Sequence, residues 1–366
     1  MYTSFHIRRF RRFKQLKFET LTRCNLITGL NNSGKSTVLE ALWMHAGPNR
    51  PDLVLRMLQF RGVPGADIEN IARDLFFDFD TREPIELAAD GDWGEHPRVL
   101  EIATRPKPAA VVPPPARSNG RTSTNYLESG TTPLSDIELI LSYRDEDQKT
   151  YKTKAVWIPQ GPNEQGNLTA DFSVETADTP PRPNNILLAS GIRRAPIEDC
   201  QSFDRLVQNG HESEVVEFLK VVDSQIHNIR TMTVPEPMLY ADVGLSQFVP
   251  VGLLGGGVSR LLSLALTMFE ARGGLILVDE LENGLHHTVL EPVWQRLQTL
   301  AKACDVQLIA TTHSSECLSA AMRTFHCSSP EDLAIHRLDE RHGKPFAATF
   351  LAKDWEYSLQ LDAELR

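Results

Sequence analysis

Residues 29–37 read GLNNSGKST, which has the form GxxxxGKS, and they stand between a predicted strand and a predicted helix. In that context the backbone N–H groups of the loop and the N-terminus of the following helix form a nest for phosphate groups. Glycine is required at such positions because a Cβ atom would obstruct the close approach of backbone to phosphate. The pattern predicts that Lys35 reaches the β- and γ-phosphates of a nucleotide and that Ser36 offers its hydroxyl to Mg²⁺.

The sequence around this loop predicts an α/β fold. Short strands are expected before the loop, and the apolar spacing after it predicts a helix that ends at Gly47-Pro48. Strand-like segments, with a hairpin turn expected at Arg144 to Gln148, then suggest an antiparallel sheet, and a mostly helical region is expected from Ile197 to Ile229. The last third of the chain alternates helix and strand, as a helix-flanked parallel sheet requires, with helices expected at Leu261 to Glu270 and Leu290 to Ala303 and strands at Leu275 to Val278 and Val306 to Thr312. The expected organisation is an N-terminal lobe at 1–75, a β-rich insertion at 76–190 with a disordered Pro-rich loop at 105–130, a helical subdomain at 191–250 and a C-terminal lobe at 251–366.

The composition favours a globular protein in a reducing compartment. The chain has 366 residues, 41% of them hydrophobic, which is enough to bury a substantial core. It contains no run of about 18 apolar residues, and the N-terminus MYTSFHIRRFRRFK lacks the apolar core of a signal peptide. The five cysteines are scattered and never spaced as CxxC, so neither a disulfide framework nor a zinc site is indicated. We therefore expect a cytoplasmic protein with no membrane partner.

Residues 1–24 are basic although the whole chain carries a net charge of −10. The acidic total argues against a surface that coats nucleic acid over a wide area. Against Glu19 alone, the segment carries seven cations, namely Arg8, Arg9, Arg11, Arg12, Lys14, Lys17 and Arg23. Two interpretations stay open: an edge strand protected by its charges, or contacts to the phosphates of a nucleotide or of DNA.

Residues 275–280 read LILVDE, four apolar residues followed by two acids. A buried parallel strand delivers the side chains at its end to the carboxyl edge of the sheet, where ligands bind. Asp279 is expected to hold Mg²⁺ through water, and Glu280 to activate the water that attacks the γ-phosphate. Strands that end in two acids are common, so this interpretation depends on the glycine loop at 29–37.

The next predicted strand ends in ATTHS, residues 310–314. A histidine at the end of a strand usually has a structural role. Because this strand follows the acidic one, His313 is instead expected near the γ-phosphate, where a hydrogen bond would report that the phosphate is present.

A second glycine loop, Gly255 to Gly257, opens a predicted helix and is followed by Ser259. Three glycines before a helix N-terminus form another anion-binding cap. Since the chain already has one such cap, the second makes sense if it serves the γ-phosphate held by a neighbouring subunit. A mobile glycine hinge is the alternative.

These four motifs, with the second glycine loop lying ahead of the acidic strand in the chain, resemble those of ABC-type P-loop ATPases. The segments RFRRFKQLKFETLTRCNLITGLNNSGKSTVLEAL, LLGGGVSRLLSLAL, LILVDELENGLHH and LIATTHSSECL together look like the overcoming-lysogenization-defect (OLD) family and the wider AAA-15/AAA-21 group that includes RecF-like repair ATPases. The resemblance implies a mixed sheet flanked by helices. It also implies ATP and Mg²⁺ as cofactors, and a homodimer or higher homo-oligomer that encloses ATP between two subunits.

Residue by residue, the resemblance assigns each motif a role. The Walker A residues would be Gly29, Asn32, Gly34, Lys35, Ser36 and Thr37. Walker B would be Asp279 and Glu280, the signature Gly255, Gly256, Gly257 and Ser259, the switch histidine His313, and the dimer-facing D-loop Asn283 and Gly284. Arg11 in RFRRF aligns with a basic residue that contacts phosphate in related ATPases.

The chain departs from the family pattern in two places. The signature has Gly255 where a serine normally precedes the glycine pair, so Ser259 or backbone amides must take over its contacts. No glutamine loop can be assigned between Trp43 and Asp136.

The expected function is an ATPase that is not itself a nuclease. The 53 residues after His313 contain no DxD pair, which the Toprim nuclease of many OLD proteins needs for its metal ions. The resemblance then implies a sensor ATPase in anti-phage defence or DNA metabolism that works with a separate effector, such as the Toprim-like nuclease of split systems like PARIS. A RecF-like repair ATPase is the alternative, with DNA as a partner. A transporter subunit is disfavoured by the form of the signature and by the size of the insertions.

Overall fold

The computed structural model describes residues 1–60, 73–106, 137–162, 168–176, 178–180, 185–188 and 194–354. Its helices are α1 Lys35–Ala46, α2 Asp52–Phe60, α3 Pro196–Gln208, α4 Glu212–Leu219, α5 Gly256–Glu270, α6 Leu290–Ala303 and α7 Ser315–Ser328. Its strands are β1 Tyr2–Phe10, β2 Phe13–Phe18, β3 Cys24–Gly29, β4 Ile85–Gly91, β5 Arg98–Pro106, β6 Ile137–Arg144, β7 Thr150–Pro162, β8 Leu168–Thr176, β9 Asn185–Leu188, β10 Asn228–Met232, β11 Met238–Asp242, β12 Val249–Pro250, β13 Leu275–Val278, β14 Gln307–Thr311, β15 Leu333–Arg341 and β16 Lys344–Leu351.

A mixed six-stranded sheet forms the centre, in the order β16-β15-β3-β14-β13-β9. All neighbours from β15 to β9 run parallel, and only β16 is antiparallel. Successive side chains of β13 enter different cores, Leu275 and Leu277 on one face and Ile276 and Val278 on the other, as the two-residue period of a strand buried on both faces requires. The carboxyl ends of β3, β13 and β14 meet at one edge.

A second sheet of seven antiparallel strands, β2-β1-β4-β5-β6-β7-β8, packs on one face of the first, with α1 between them. The strands and the β6–β7 hairpin predicted from the sequence are confirmed. Since β1 pairs with β4, the boundary expected between residues 75 and 76 falls within this sheet, and the division into domains stays a prediction. The Pro-rich loop predicted at 105–130 lies outside the described residues except at Arg105–Pro106, which end β5.

Helix α1 directly follows the glycine loop, as predicted. It begins after Gly34 and ends at Gly47, whose N–H bonds to the carbonyls of Trp43 and Met44. Every residue of the helix except Ser36 is buried. A helix that is enclosed on all sides holds its N-terminus in a fixed position at the carboxyl edge of the central sheet.

The segment from 194 to 250 differs from its prediction. Helices α3 and α4 are present, but the expected helical region up to Ile229 is wrong at its end, because Asn228 begins β10. Strands β10, β11 and β12 form a small antiparallel sheet in which Ile229 pairs with Ala241. Pairing with β11, the next strand along the chain, overrides the local helical pattern.

The remaining predictions on chain type concern cysteines and membranes. All five cysteines are free thiols, as expected, and Cys327 is the exposed one. Within the described ranges, no helix is both long enough and apolar enough to cross a bilayer.

Candidate active site

The glycine loop after β3 takes a conformation that only a few residue types adopt. Gly29 and Gly34 have φ of 138° and 101°, and Asn32 has φ of 62°. A Cβ on Gly29 would lie 2.5 Å from the carbonyl oxygen of Leu338 in β15. Both the left-handed backbone and the close neighbour therefore require glycine at this position.

Lys35 closes the loop upon itself. Its Nζ donates hydrogen bonds to the carbonyl oxygens of Gly29 (2.8 Å) and Leu30 (3.0 Å). Burial lowers the pKa of Lys35, while the carboxylates of Asp279, Glu280 and Glu282 act in the opposite direction. The ammonium group thus bonds to the loop and is under the influence of the acids that follow β13.

Ser36 and Asp279, the predicted magnesium ligands, are brought together. The Ser36 hydroxyl donates to Asp279 at 3.0 Å from Oδ2 and 3.2 Å from Oδ1. Hydroxyl and carboxylate oxygens are the donors Mg²⁺ prefers, and Mg²⁺ is usually held by one or two protein groups together with substrate phosphates. Among the described residues, no group of three or more His, Cys, Asp or Glu could hold a metal ion without such help. The residues therefore fit a magnesium ion bound together with a nucleotide.

Thr311 fixes both acids of the β13 end and was missed by the sequence analysis. Its hydroxyl donates to Asp279 Oδ1 (2.6 Å) and accepts from the backbone N–H of Glu280 (2.9 Å). The side chain is fully buried at the end of β14. In the sequence, Thr311 could have been identified from its position in the ATTHS segment, two residues before His313.

Arg260 is the second residue that the sequence analysis missed. It lies in the second turn of α5, and its guanidinium donates to the carbonyl oxygens of Asp279 (2.7 Å) and Glu280 (3.2 Å). Glu280 itself has a left-handed backbone, with φ of 49°. Such strained conformations persist where the surroundings hold them, and here Arg260 and Thr311 do so.

His313 lies beside Glu280. Its Nε2 is 3.9 Å from Glu280 Oε1, and both side chains are 38% exposed. The backbone N–H of His313 donates to Glu282 Oε1 at 2.8 Å, which ties this loop to the turn after β13. Lys35, Ser36, Asp279, Glu280 and His313 therefore share one edge of the sheet.

The predicted signature forms the N-terminus of α5, which starts at Gly256 and so earlier than the expected Leu261. Gly255 caps the helix with φ of 105° and, as a glycine, offers no side chain to the first N–H groups. A Cβ on Gly255 or Gly256 would meet no atom of the described residues within 4 Å, whereas one on Gly257 would lie 2.9 Å from the carbonyl oxygen of Gly284. The predicted D-loop thus packs on the signature within one chain.

Ser259 and Asn283 flank this turn. The Ser259 hydroxyl bonds back to the carbonyl of Gly255 at 3.3 Å, and Asn283 is exposed. Both residues, with Gly256 and Gly284, line a cavity of about 760 Å³ that opens beside the turn. The signature therefore faces open space.

Arg11 lies against helix α1, and Thr37 lies within it. Arg11 Nε lies 3.3 Å from Glu40 Oε2 in α1, and both side chains are nearly buried, with 11% and 7% exposed. Thr37 is buried in the first turn of α1. A phosphate contact by Arg11 stays a prediction.

The central sheet, the loop that closes on Lys35 and the acids beside it define a P-loop ATPase of the ABC-like kind. The family described as "AAA domain, putative AbiEii toxin, Type IV TA system" matches residues 24–319, and the chain belongs to that family. An "ATP/GTP phosphatase" of Helicobacter pylori is 22% identical over 389 aligned positions that span both chains completely. The crystal structure of an SMC head bound to the C-terminal winged-helix domain of ScpA superposes with a TM-score of 0.50 at 13% identity, covering 97% of this chain and 99% of that one. This last likeness shows the fold.

Proposed function

We propose that this chain binds ATP with Mg²⁺ and hydrolyses it slowly at the interface of a head-to-tail homodimer. The observation that carries the proposal is the pair of helix N-termini that are each capped by a glycine, which has no side chain to bond to the first N–H groups. The first, at α1, has the lysine, acids and histidine of a hydrolytic site beside it. The second, at α5, presents exposed glycines to open space. Helix N-termini capped by glycine favour anions, so each copy offers half of a triphosphate site to the other.

In the proposed site, Lys35 exchanges its bonds to the loop carbonyls for the β- and γ-phosphates. Ser36 and Asp279 hold Mg²⁺, which neutralises phosphate charge when bound. Glu280 orients the attacking water and takes its proton, while Arg260 and Thr311 hold the backbone of Glu280 in place. His313, beside Glu280, donates a hydrogen bond to the γ-phosphate.

We further propose that the ATPase is a sensor or regulatory protein in anti-phage defence or DNA metabolism, with a separate effector. The toxin and type IV toxin–antitoxin system in the family description support a role in defence. The SMC head relative is bound to a domain of another protein, which supports a separate partner here. The proposed effector is a Toprim-like nuclease. The alternative function is that of a RecF-like repair ATPase with DNA as its partner. Because the Helicobacter relative is named for both nucleotides, GTP should be tested beside ATP.

Subunit mixing tests the shared site. Lys35→Ala removes the phosphate counter-charge from one half-site. Gly257→Glu places a carboxylate on the other, against the carbonyl of Gly284. In a mixed dimer one interface would contain both lesions and the other neither, so hydrolysis should reappear on mixing two inactive variants. If light scattering shows dimers but the mixture is as inactive as each variant alone, the shared site is contradicted.

The cellular role needs its own test. Phage plating is compared between cells that carry this gene with its neighbouring gene and cells that carry the Lys35→Ala variant with the same neighbour. Protection that is lost with the variant supports the defence role. Equal protection would show that nucleotide binding here has no part in it.

A further inference from the structure

The basic N-terminal segment is mostly explained by ion pairs within the chain. Five of its seven cations lie within 3.3 Å of a carboxylate oxygen: Arg8 with Glu86, Arg9 with Asp80, Arg11 with Glu40, Lys17 with Glu19 and Arg23 with Asp305. Neighbouring carboxylates therefore largely balance the charge of these five side chains. They do not form a continuous surface for an extended polyanion.

Arg12 and Lys14 are the two cations left over. Within the described part of the chain, neither has a carboxylate oxygen at ion-pair distance. Both are exposed. They differ in what lies next to them, because Arg12 stands in the turn between β1 and β2 whereas Lys14 follows in β2.

The stem of Arg12 lies against the phosphate-binding loop. A Cβ built on Gly34 would be 2.7 Å from Arg12 Cδ, and the ring of Phe13 is closer still. Gly34 is the residue that caps α1. The guanidinium group, which follows Cδ in the side chain, is 5.9 Å from the centre of the Phe13 ring. An arginine side chain is thus anchored by its methylene groups at the N-terminus of α1, with its charged end exposed.

We propose that Arg12 is a phosphate-binding residue of the nucleotide site, reaching over the loop from the β1–β2 turn. A planar guanidinium donates two parallel hydrogen bonds to a phosphate, and the field of the α1 N-terminus draws an anion to the same place. The nucleotide is favoured over DNA as the source of the phosphate because the contact is with Gly34 of the loop itself. The inference rests on the proposed function, since it presupposes that a nucleotide occupies this loop.

The test compares Arg12→Ala with Lys14→Ala, a matched loss of one exposed, unpaired cation from the same hairpin. Affinity for ATP with Mg²⁺ is measured by titration calorimetry on the full chain. Arg12→Ala should bind about ten- to a hundredfold more weakly than wild type, the range expected for charge-assisted hydrogen bonds. Lys14→Ala should bind as wild type does, and Arg12→Lys should fall between them because it keeps the charge and loses the fork. Arg12→Gln, which keeps most of the stem, replaces Arg12→Ala if that variant does not fold.

The outcomes separate this inference from the proposed function. Wild-type protein that binds neither ATP nor GTP would overturn the proposed function, and Arg12 with it. Wild-type binding together with equal affinities of Arg12→Ala and Lys14→Ala would overturn the role of Arg12 alone. A parallel titration with a short DNA duplex identifies the other phosphate source: if Arg12→Ala weakens only DNA binding, the assignment to the nucleotide is wrong.

Discussion

The two glycine-headed helices, α1 and α5, begin alike and are surrounded differently. Both start after a glycine with positive φ, and neither of these glycines offers a side chain to the first N–H groups of its helix. The loop before α1 is crowded, since a Cβ on Gly29 or Gly34 would collide with Leu338, Phe13 or Arg12. At α5, Gly255 and Gly256 have open space around them.

The difference teaches what glycine is for at each place. In the first loop the fold of the same chain demands glycine, so its conformation is set before any ligand arrives. At α5 the chain itself does not require glycine at Gly256, and the lack of a side chain matters only for something that comes from outside. In our proposal, the first loop is a half-site whose shape its own chain fixes. The second loop contacts a phosphate only when a partner subunit brings a nucleotide to it.

The largest expected effect comes from Glu280→Gln. The change keeps size and hydrogen bonding but removes the carboxylate that takes the proton from water, so hydrolysis should fall by about 10²- to 10⁴-fold. ATP affinity should persist, and closed dimers should accumulate with ATP because both helix N-termini stay on an intact nucleotide. Turnover assays and light scattering check both points. Hydrolysis at the parental rate would show that another residue activates the water.

A smaller effect separates the two glycine loops directly. Gly34→Ala forces a Cβ into Phe13 and Arg12 at a positive φ, so the free energy of unfolding should fall by roughly 3 kcal/mol. Gly256→Ala adds its Cβ to open space in the first turn of α5 and should leave the unfolding free energy unchanged or raise it by about 0.5 kcal/mol.

Urea denaturation and turnover together decide the comparison. Gly256→Ala should lower ATP hydrolysis despite its intact stability, because the methyl group hinders the approach of a partner's phosphate to the backbone. Parental activity in stable Gly256→Ala protein would break the contrast that we draw between the loops.

The smallest expected effect is on the pH dependence of the free energy of unfolding. It arises in α1, which buries His45, whereas α5 contains no histidine. Burial lowers the pKa of His45 to about 4, and its ring lies between the Tyr2 hydroxyl (3.0 Å) and the carbonyl of Arg98 (3.1 Å). Below pH 6.5 His45 is protonated in the unfolded chain, whereas in the folded chain it stays neutral until about pH 4. The free energy of unfolding therefore falls as the pH falls through that window. Between pH 6.5 and 5 the loss should be about 2 kcal/mol.

His336 in β15 adds to the same trend, because burial lowers its pKa to about 3. Urea denaturation at pH 6.5 and 5 measures the total, and His45→Gln should remove about half of the dependence. If the pH dependence of the unfolding free energy is unchanged in His45→Gln, the acid sensitivity does not arise in α1.

Much of the fold was predictable because its signals are local. The GKS loop between a strand and a helix, the apolar run LILV and the ATTHS segment each define their own element, and α6 begins and ends where predicted. The end of the helical region near Ile229 was not predicted, since the residues of β10 pair with β11 instead of continuing the helical pattern before them.

The sequence by itself determined the chemistry of this protein: which residues follow which strands, and hence that a lysine, a hydroxyl, two acids and a histidine gather at one edge of a parallel sheet. Only the tertiary structure decided the supporting contacts. Thr311 and Arg260 hold the acids, Arg11 faces Glu40 while Arg12 lies on Gly34, and Gly257 packs on Gly284. The physical reason is that strand order and residue type are written along the chain, whereas the partner of a side chain depends on which distant segments fold against it.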